Sequence, residues 1–199
     1  MRRKKRDDNT MRAQNPGSRE KLVIAAIEEM QMHGIADFSI RRVAEKCGMS
    51  SGAPYKHFKN KNELVLESIK YINTKWGEIQ YEIIEKCGDD PRKRLVELSI
   101  AYVGFLCKNP AYQSVIMLND SSLLPEQLAE KAKISALTER IIQDYCRKVG
   151  MSDEDRRRKT YAVRSFIFGA AFMINSGLFS EGEDLSLVRY CIEREFDLA

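Results

Sequence analysis

Histidine, paired cysteines and long apolar runs are scarce in this sequence, and each scarcity excludes a class of protein. The 199 residues include two histidines and five cysteines, with no Cys-x-x-C pair, glycine-rich phosphate loop or nucleophile–base arrangement. We therefore expect neither an enzyme, nor a metal site, nor a bound cofactor. The odd number and wide spacing of the cysteines argue against a disulfide framework, although a redox role for one of them stays open.

No stretch of the sequence predicts a membrane span or a secretory signal. The most apolar run, from Tyr161 to Phe179, is interrupted by Arg164 and Asn175. The basic start, MRRKKRDDNT, has no apolar segment behind it. We expect a cytoplasmic protein without a membrane partner.

Positive charge is concentrated in the first third of the chain. Residues 1–61 carry 14 Lys and Arg against 7 Asp and Glu, for a net charge of +7, whereas the remainder carries −3. The residues after the RRKKR run keep a weaker excess, so this run alone does not cause the asymmetry. Such a distribution indicates that the N-terminal part meets a polyanion.

Helical periodicity dominates, and sustained period-2 alternation is missing, so the sequence predicts an all-α protein of about nine helices. The predicted helices start at Ser18, at Ser39, at Ser50 or Ser51, and near residues 61, 91, 111, 125, 153 and 184. We divide the chain into a flexible basic arm at 1–17, an N-terminal three-helix domain at 18–65 and a C-terminal helical domain at 66–199.

Residues 39–58 have the pattern of a helix-turn-helix. Ala44 is small where two helices must approach, and Gly48 can adopt the positive φ that the turn needs. Ser50 or Ser51 can cap the second helix, and Pro54 suits its first turn. Phe58 is expected in the core.

The outward face of this motif combines small, aromatic and basic residues. Tyr55, His57 and Lys61 suit phosphate contacts, because their side chains can donate hydrogen bonds to a DNA backbone. The residues placed to approach base edges in the major groove are Arg41, Ser51, Gly52, Ala53 and Lys56.

Three segments, SREKLVIAAIEEMQMHG, FSIRRVAEKCGMSSGAPYKHF and KNKNELVLESI, resemble the N-terminal domain of the TetR family of bacterial transcriptional regulators. The residues in register with that family are Ser39, Ala44, Gly48, Ser50, Gly52, Tyr55, His57, Phe58 and Lys61. Pro54 and Ser51 depart from the commonest pattern. The resemblance implies double-stranded DNA as partner, with Ser39 and Ser50 added to the contacts named above.

The resemblance also implies that residues 66–199 bind a small-molecule effector and form a homodimer on a near-palindromic operator. Within that domain the expected pocket residues are Tyr102, Phe105, Tyr112, Met117, Phe166 and Met173. The expected dimer residues are Phe168, Gly169, Phe172, Val188 and Ile192. The run YAVRSFIFGAAFMINSGLF is apolar nearly all round, which predicts burial on more than one side.

The resulting hypothesis is a dimeric repressor that an effector releases from DNA. Two alternatives stay open: an architectural DNA-binding protein without an effector, and an activator that uses the same DNA contacts. The basic arm either follows the DNA backbone or stays solvated.

Overall fold

The computed structural model describes residues 17–178 and 181–197, and this part of the chain is helical, without strands. Its eight α-helices are α1 (Ser18–His33), α2 (Ile40–Lys46), α3 (Lys61–Cys87), α4 (Pro91–Lys108), α5 (Pro110–Ile116), α6 (Pro125–Val149), α7 (Asp153–Asn175) and α8 (Glu181–Asp197). Two 3-10 turns, Ala53–Lys56 and Asp120–Ser122, complete the described elements. The all-α prediction is confirmed, whereas the predicted arm lies outside the described residues except for Gly17.

Polar side chains and prolines determine where several helices begin. The Ser39 hydroxyl accepts a hydrogen bond from the Arg42 amide at 3.4 Å, as the sequence predicts for an N-cap. Asp90 caps α4 in the same way at 3.2 Å, and Pro91 occupies the first helical position. The predicted cap at Ser18 is wrong, because Ser18 is itself helical and Gly17 precedes it without a side-chain bond.

The first three helices share a small core that α5 closes from the side of the C-terminal helices. Helix α1 packs against α2, α3 and α5. Its fully buried residues include Leu22 and Ala26, and Val43, Phe58 and Leu64 meet them from the neighbouring elements. Burial of Phe58 confirms the prediction that it is a core aromatic.

Helix α4 lies at the centre of the C-terminal bundle, where it packs against α3, α6, α7 and α8. Its buried residues Leu98, Val103 and Leu106 face Trp76 of α3 and Ile192 of α8 within one continuous core. Within the described ranges, no helix combines the length and the apolar character that a membrane crossing requires.

Helix α7 departs from the sequence prediction in one respect. Its residues Val163, Ile167 and Ala171 are buried, but Tyr161 and Phe172 are 76% and 65% exposed. The helix is therefore buried along one side within the protomer, and its other side is open and carries exposed aromatic residues.

Candidate nucleic-acid interface and bundle cavity

The turn of the helix-turn-helix has the geometry that its sequence predicts. Gly48 has φ of 67°, and this left-handed conformation favours glycine. The Met49 amide donates to the Ala44 carbonyl at 2.9 Å, which reverses the chain directly after α2. Ala44 is fully buried, as close approach of the two elements requires.

The element after the turn is much shorter than the predicted recognition helix. It is a single 3-10 turn at Ala53–Lys56, preceded by Gly52 and without a side-chain cap. The predicted caps at Ser50 and Ser51 are therefore wrong, since only the Ser50 backbone carbonyl takes part, accepting from the Ala53 amide at 2.9 Å.

This 3-10 turn nevertheless sorts its residues onto two sides. Pro54 and Phe58 are buried, whereas Tyr55 is 55% exposed. The other predicted DNA contacts that lie on the exposed side are Ser50, Ser51, Gly52, Lys56 and His57. Ala53 is half-buried. We call this exposed set, together with Tyr55, the turn face.

The two predicted contacts from the flanking helices are placed differently. Arg41 projects from α2 with its side chain 77% exposed, and its Nε donates to Glu45 at 2.9 Å. Lys61 is directed inward: its Nζ donates to the Ile35 carbonyl at 2.9 Å and lies 5.6 Å from the centroid of the Phe38 ring. Lys61 thereby ties the α1–α2 loop to α3, a role that its sequence position does not reveal.

A buried carboxylate that sequence reasoning missed anchors α2. Glu29 of α1 is 6% exposed and accepts hydrogen bonds from Arg42 Nε at 2.6 Å and from the Ser39 amide at 3.3 Å. The sequence position of Glu29 could have predicted this, because Glu29 lies on the same helical stripe as Leu22 and Ala26. A charged residue on a buried stripe needs a partner. The ion pair holds the start of α2 against α1.

A cavity of about 520 Å³ lies in the C-terminal bundle between α3, α4, α6 and α7. Tyr102 lines it, with its ring centroid 4.7 Å from that of Trp76. Burial raises the pKa of the Tyr102 phenol above its ordinary value, and nearby Arg164 opposes this only in part. The phenol is therefore a neutral donor at the cavity wall.

Of the six predicted pocket residues, Tyr102 is the one that lines this cavity. Phe105 and Tyr112 do not line it and pack on each other, with ring centroids 5.6 Å apart. Met117, Phe166 and Met173 are exposed by 60%, 44% and 36%. Met117 lines a second cavity beside this one, and the remaining four lie outside both. On α7 the helical period alone does not distinguish the cavity side from the outer side, because apolar residues occur on both.

The predicted dimer residues also divide between surface and interior. Gly169 and Phe172 are exposed, and Val188 is half-buried. Phe168 is half-buried and lines the cavity, whereas Ile192 is fully buried and provides no open surface. Leu187 and Tyr190 of α8 are further exposed apolar residues, accessible to 56% and 60%.

The described residues thus define an all-helical protein with an N-terminal helix-turn-helix domain and a cavity in its C-terminal bundle. Residues 22–68 match the family model described as bacterial regulatory proteins, tetR family. This match falls on the segment that resembles the family at the level of sequence.

Known proteins resemble the chain in sequence and in fold. It is 25% identical over 140 residues to the protein described as the probable acrEF/envCD operon repressor of Escherichia coli (strain K12). That match covers 67% of this chain and 64% of the relative, so the chain matches less than two thirds of the relative's length.

Two solved structures share the fold over nearly the whole chain. A TetR family transcription regulator from Marinobacter aquaeolei VT8 has a TM-score of 0.73 at 16% identity, covering 89% of this chain and 94% of the other. The transcriptional regulator FadR from Bacillus subtilis, solved in complex with stearoyl-CoA, has a TM-score of 0.66 at 15% identity, covering 89% and 96%.

Proposed function

We propose that the protein is a dimeric, DNA-binding transcriptional repressor that a small-molecule effector releases from its operator. The observation that carries this proposal is the turn face, which is exposed beside a buried Pro54–Phe58 anchor inside a TetR-type domain. Its place of action is then the cytoplasm, where bacterial DNA lies.

The chemistry of the turn face suits a duplex. Tyr55, Lys56 and His57 offer side-chain donors or positive charge for phosphate oxygens, while the small residues Ser51, Gly52 and Ala53 allow close approach to a groove. Arg41 projects nearby from α2 and adds a cation that can reach a phosphate or a base edge. Lys61 contributes less directly, since its ammonium group is bound to backbone carbonyls.

The open apolar face of α7 and α8 supports a homodimer. Phe166 and Phe172 of α7 and Leu187 and Tyr190 of α8 expose between 44% and 65% of their surface. Exposed apolar patches of this kind commonly mark protein interfaces. A two-fold dimer would present two turn faces to major grooves about 34–36 Å apart, and so read a near-palindromic operator.

The bundle cavity favours an effector-controlled regulator over an architectural protein. A volume of about 520 Å³ lies within the range of small-molecule sites. The similarly folded FadR from Bacillus subtilis was solved with stearoyl-CoA, which supports an effector with an acyl chain here. An activator would use the same DNA contacts and differ only in operator position.

The proposal is tested by a mobility shift at near-physiological salt with DNA from upstream of the protein's own gene and a scrambled fragment of equal length. A preference of about 10³ or more for the upstream DNA would support a specific regulator. Equal, steeply salt-dependent binding to that fragment, to scrambled DNA and to neighbouring promoters would favour the architectural alternative instead.

A further inference from the structure

We propose that the effector of this cavity is an amphiphilic anion, with an apolar tail in the bundle and an anionic head held by arginines of α7. This inference rests on the proposed function and specifies the ligand class of its regulatory site.

The inner part of the cavity suits an apolar tail. Its wall includes Trp76, Leu95, Leu98, Ile142, Val163 and Ile167. Trp76 and Leu95 are buried by their neighbours, so the space between them is shaped by packed side chains. Apolar surface that leaves water for such a wall favours binding in proportion to its area.

A second cavity of about 460 Å³ adjoins the first on the outer side of α7. The residues that line both cavities are Arg156, Thr160, Arg164 and Phe168. Met117, Arg157, Tyr161 and Ser165 line the second cavity alone. Three arginines and several hydroxyl groups therefore surround it, and no carboxylate belongs to its described lining. We call this second cavity the arginine groove.

The three arginines differ in how firmly they are already paired. Arg164 contacts Glu139 at 2.9 Å, with both side chains about half exposed, and Arg156 contacts Asp153 at 3.2 Å. Within the described residues Arg157 has no ion-pair or hydrogen-bond partner. Ion pairs between exposed side chains are weak because water screens both charges, so a bound anion can replace Glu139 as the partner of Arg164.

Tyr102 supplies a donor at the level where the two cavities meet. Its ring contacts Phe168, with centroids 6.4 Å apart, and both residues line the inner cavity. The Tyr102 hydroxyl has no hydrogen-bond partner in the described part of the chain. Because its phenol is neutral, it can donate a hydrogen bond to a head-group oxygen without adding charge.

The charge of this site discriminates between ligand classes. The inner cavity is lined by Lys131, Arg156, Lys159 and Arg164 against the single carboxylate of Glu139. A cationic amphiphile would meet like charge at the head position, whereas an anionic one would gain charge-assisted hydrogen bonds. A neutral molecule with the same tail would bind through the inner cavity alone.

Trp76 allows a direct test, because it is the only tryptophan of the chain and lines the cavity. Its fluorescence is titrated in the full chain with decanoate, decyl phosphate, 1-decanol and decyltrimethylammonium. We expect saturable changes with the two anions, at concentrations roughly tenfold below those that 1-decanol requires. The ammonium compound should give no saturable change in that range.

Three variants test whether the anionic head group binds in the arginine groove. Arg164→Gln should weaken binding of both anions roughly tenfold, and Arg157→Gln roughly threefold. Glu139→Gln should tighten it by about threefold, because Arg164 loses its competing partner. As a control, Arg140→Gln removes the same charge from an exposed position of α6 that lines neither cavity, and should change affinity less than about twofold.

Tighter binding of decyl phosphate than of decanoate would indicate that the arginine groove prefers a phosphorylated head group. Equal binding of the two would indicate that it accepts any anionic head group. Either result supports the inference. Equal affinity for the ammonium compound, or anion binding that is the same in all four variants, would overturn it. The same samples are assayed for upstream DNA, so a protein that binds DNA specifically but no anion refutes the ligand class and leaves the proposed function standing.

Discussion

Lys56 is the residue whose placement allows the sharpest test of the DNA surface. It lies on the exposed side of the 3-10 turn, and no described residue forms an ion pair or hydrogen bond with it. We predict that Lys56→Ala lowers the slope of log affinity against log salt concentration by about one, because one phosphate contact is lost. The measurement is a salt titration of operator binding by fluorescence anisotropy.

Lys148→Ala is the matched control for this prediction, since Lys148 is exposed near the end of α6, far along the chain from the turn face. It should leave the salt slope unchanged. A slope that Lys56→Ala does not alter, or alters only on one DNA sequence, would contradict a phosphate contact at this position.

Individual residues also show where sequence reasoning succeeds and where it stops. Phe58 was predictable, because an aromatic that ends a compact motif has few alternatives to burial. Lys61 was not, because a lysine at a helix start can reach either outward to phosphate or back to the Ile35 carbonyl. The choice depends on the path of the preceding loop, which has no sequence pattern of its own.

The turn between α2 and the 3-10 segment depends on the conformation of Gly48. Its φ of 67° is unfavourable for other residues, although no atom lies within 4 Å of the position a Cβ would take. We predict that Gly48→Ala destabilises the protein by about 1–2 kcal/mol through backbone strain alone. Thermal unfolding should show a melting temperature lower by about 2–8 °C.

Gly52→Ala provides the control for the turn. Gly52 has φ of −86°, and the space that an added Cβ would occupy has no other atom within 4 Å, so alanine fits there without strain. Its melting temperature should equal or slightly exceed that of the unaltered protein. Equal losses in both variants would indicate that small size, rather than φ, is what this motif requires.

Helix α7 explains why helix positions were predictable and helix faces were not. Its range follows from Ser152, which accepts a hydrogen bond from the Asp155 amide, and from the regular pattern that follows. The side of α7 that faces the core cannot be predicted in this way, because Phe166 and Phe168 are both apolar yet lie about 200° apart around the helix axis. The structure places Phe168 at the cavity and Phe166 outside, the reverse of the sequence prediction.

The exposed face of α7 and α8 predicts a dimer that a single charge should weaken. Phe172→Lys places an ammonium group at a position that is 65% exposed in the protomer. In a two-fold interface the two introduced charges would lie close to apolar surface, so we expect dissociation at micromolar concentration. Sedimentation velocity measures the change.

Tyr81→Lys serves as the comparison, because Tyr81 is a similarly exposed aromatic, 64% accessible, on the unrelated helix α3. It should leave the sedimentation coefficient unchanged. A Phe172→Lys protein that sediments like the unaltered chain would place the dimer surface elsewhere.

At the scale of the whole molecule, a row of aromatic rings joins the cavity to the DNA-binding domain. Trp76 lies against Phe105 with centroids 5.4 Å apart, Phe105 lies 5.6 Å from Tyr112, and Tyr112 lies 6.4 Å from Tyr71. The Tyr71 hydroxyl then donates to Glu20 of α1 at 3.2 Å. Helix α5, which carries Tyr112, packs directly on α1.

This row offers a physical connection between ligand and DNA, because packed rings move as units when one wall of a cavity shifts. Effector binding near Trp76 would change DNA affinity only if the two dimer geometries differ in their affinity for the effector. Burial and the neighbouring Tyr112 and Glu20 raise the pKa of Tyr71, so its hydroxyl remains a donor throughout the physiological range. The Tyr71–Glu20 bond is thus the last link before α1.

We predict that Tyr71→Phe reduces the coupling between effector and operator while leaving each ligand's separate binding nearly intact. The phenyl ring preserves the ring packing against Tyr112, whereas the hydroxyl's interactions with Glu20 and with the Tyr112 hydroxyl are lost. Operator affinity is measured with and without saturating decanoate, and the ratio of the two affinities should fall by about threefold or more, corresponding to about 0.5–2 kcal/mol of coupling. Tyr81→Phe removes a comparable bond, from Tyr81 to Glu85 at 2.8 Å on the same helix, without touching α1. An effector response that falls equally in both variants, or in neither, would show that the ring row does not carry the signal.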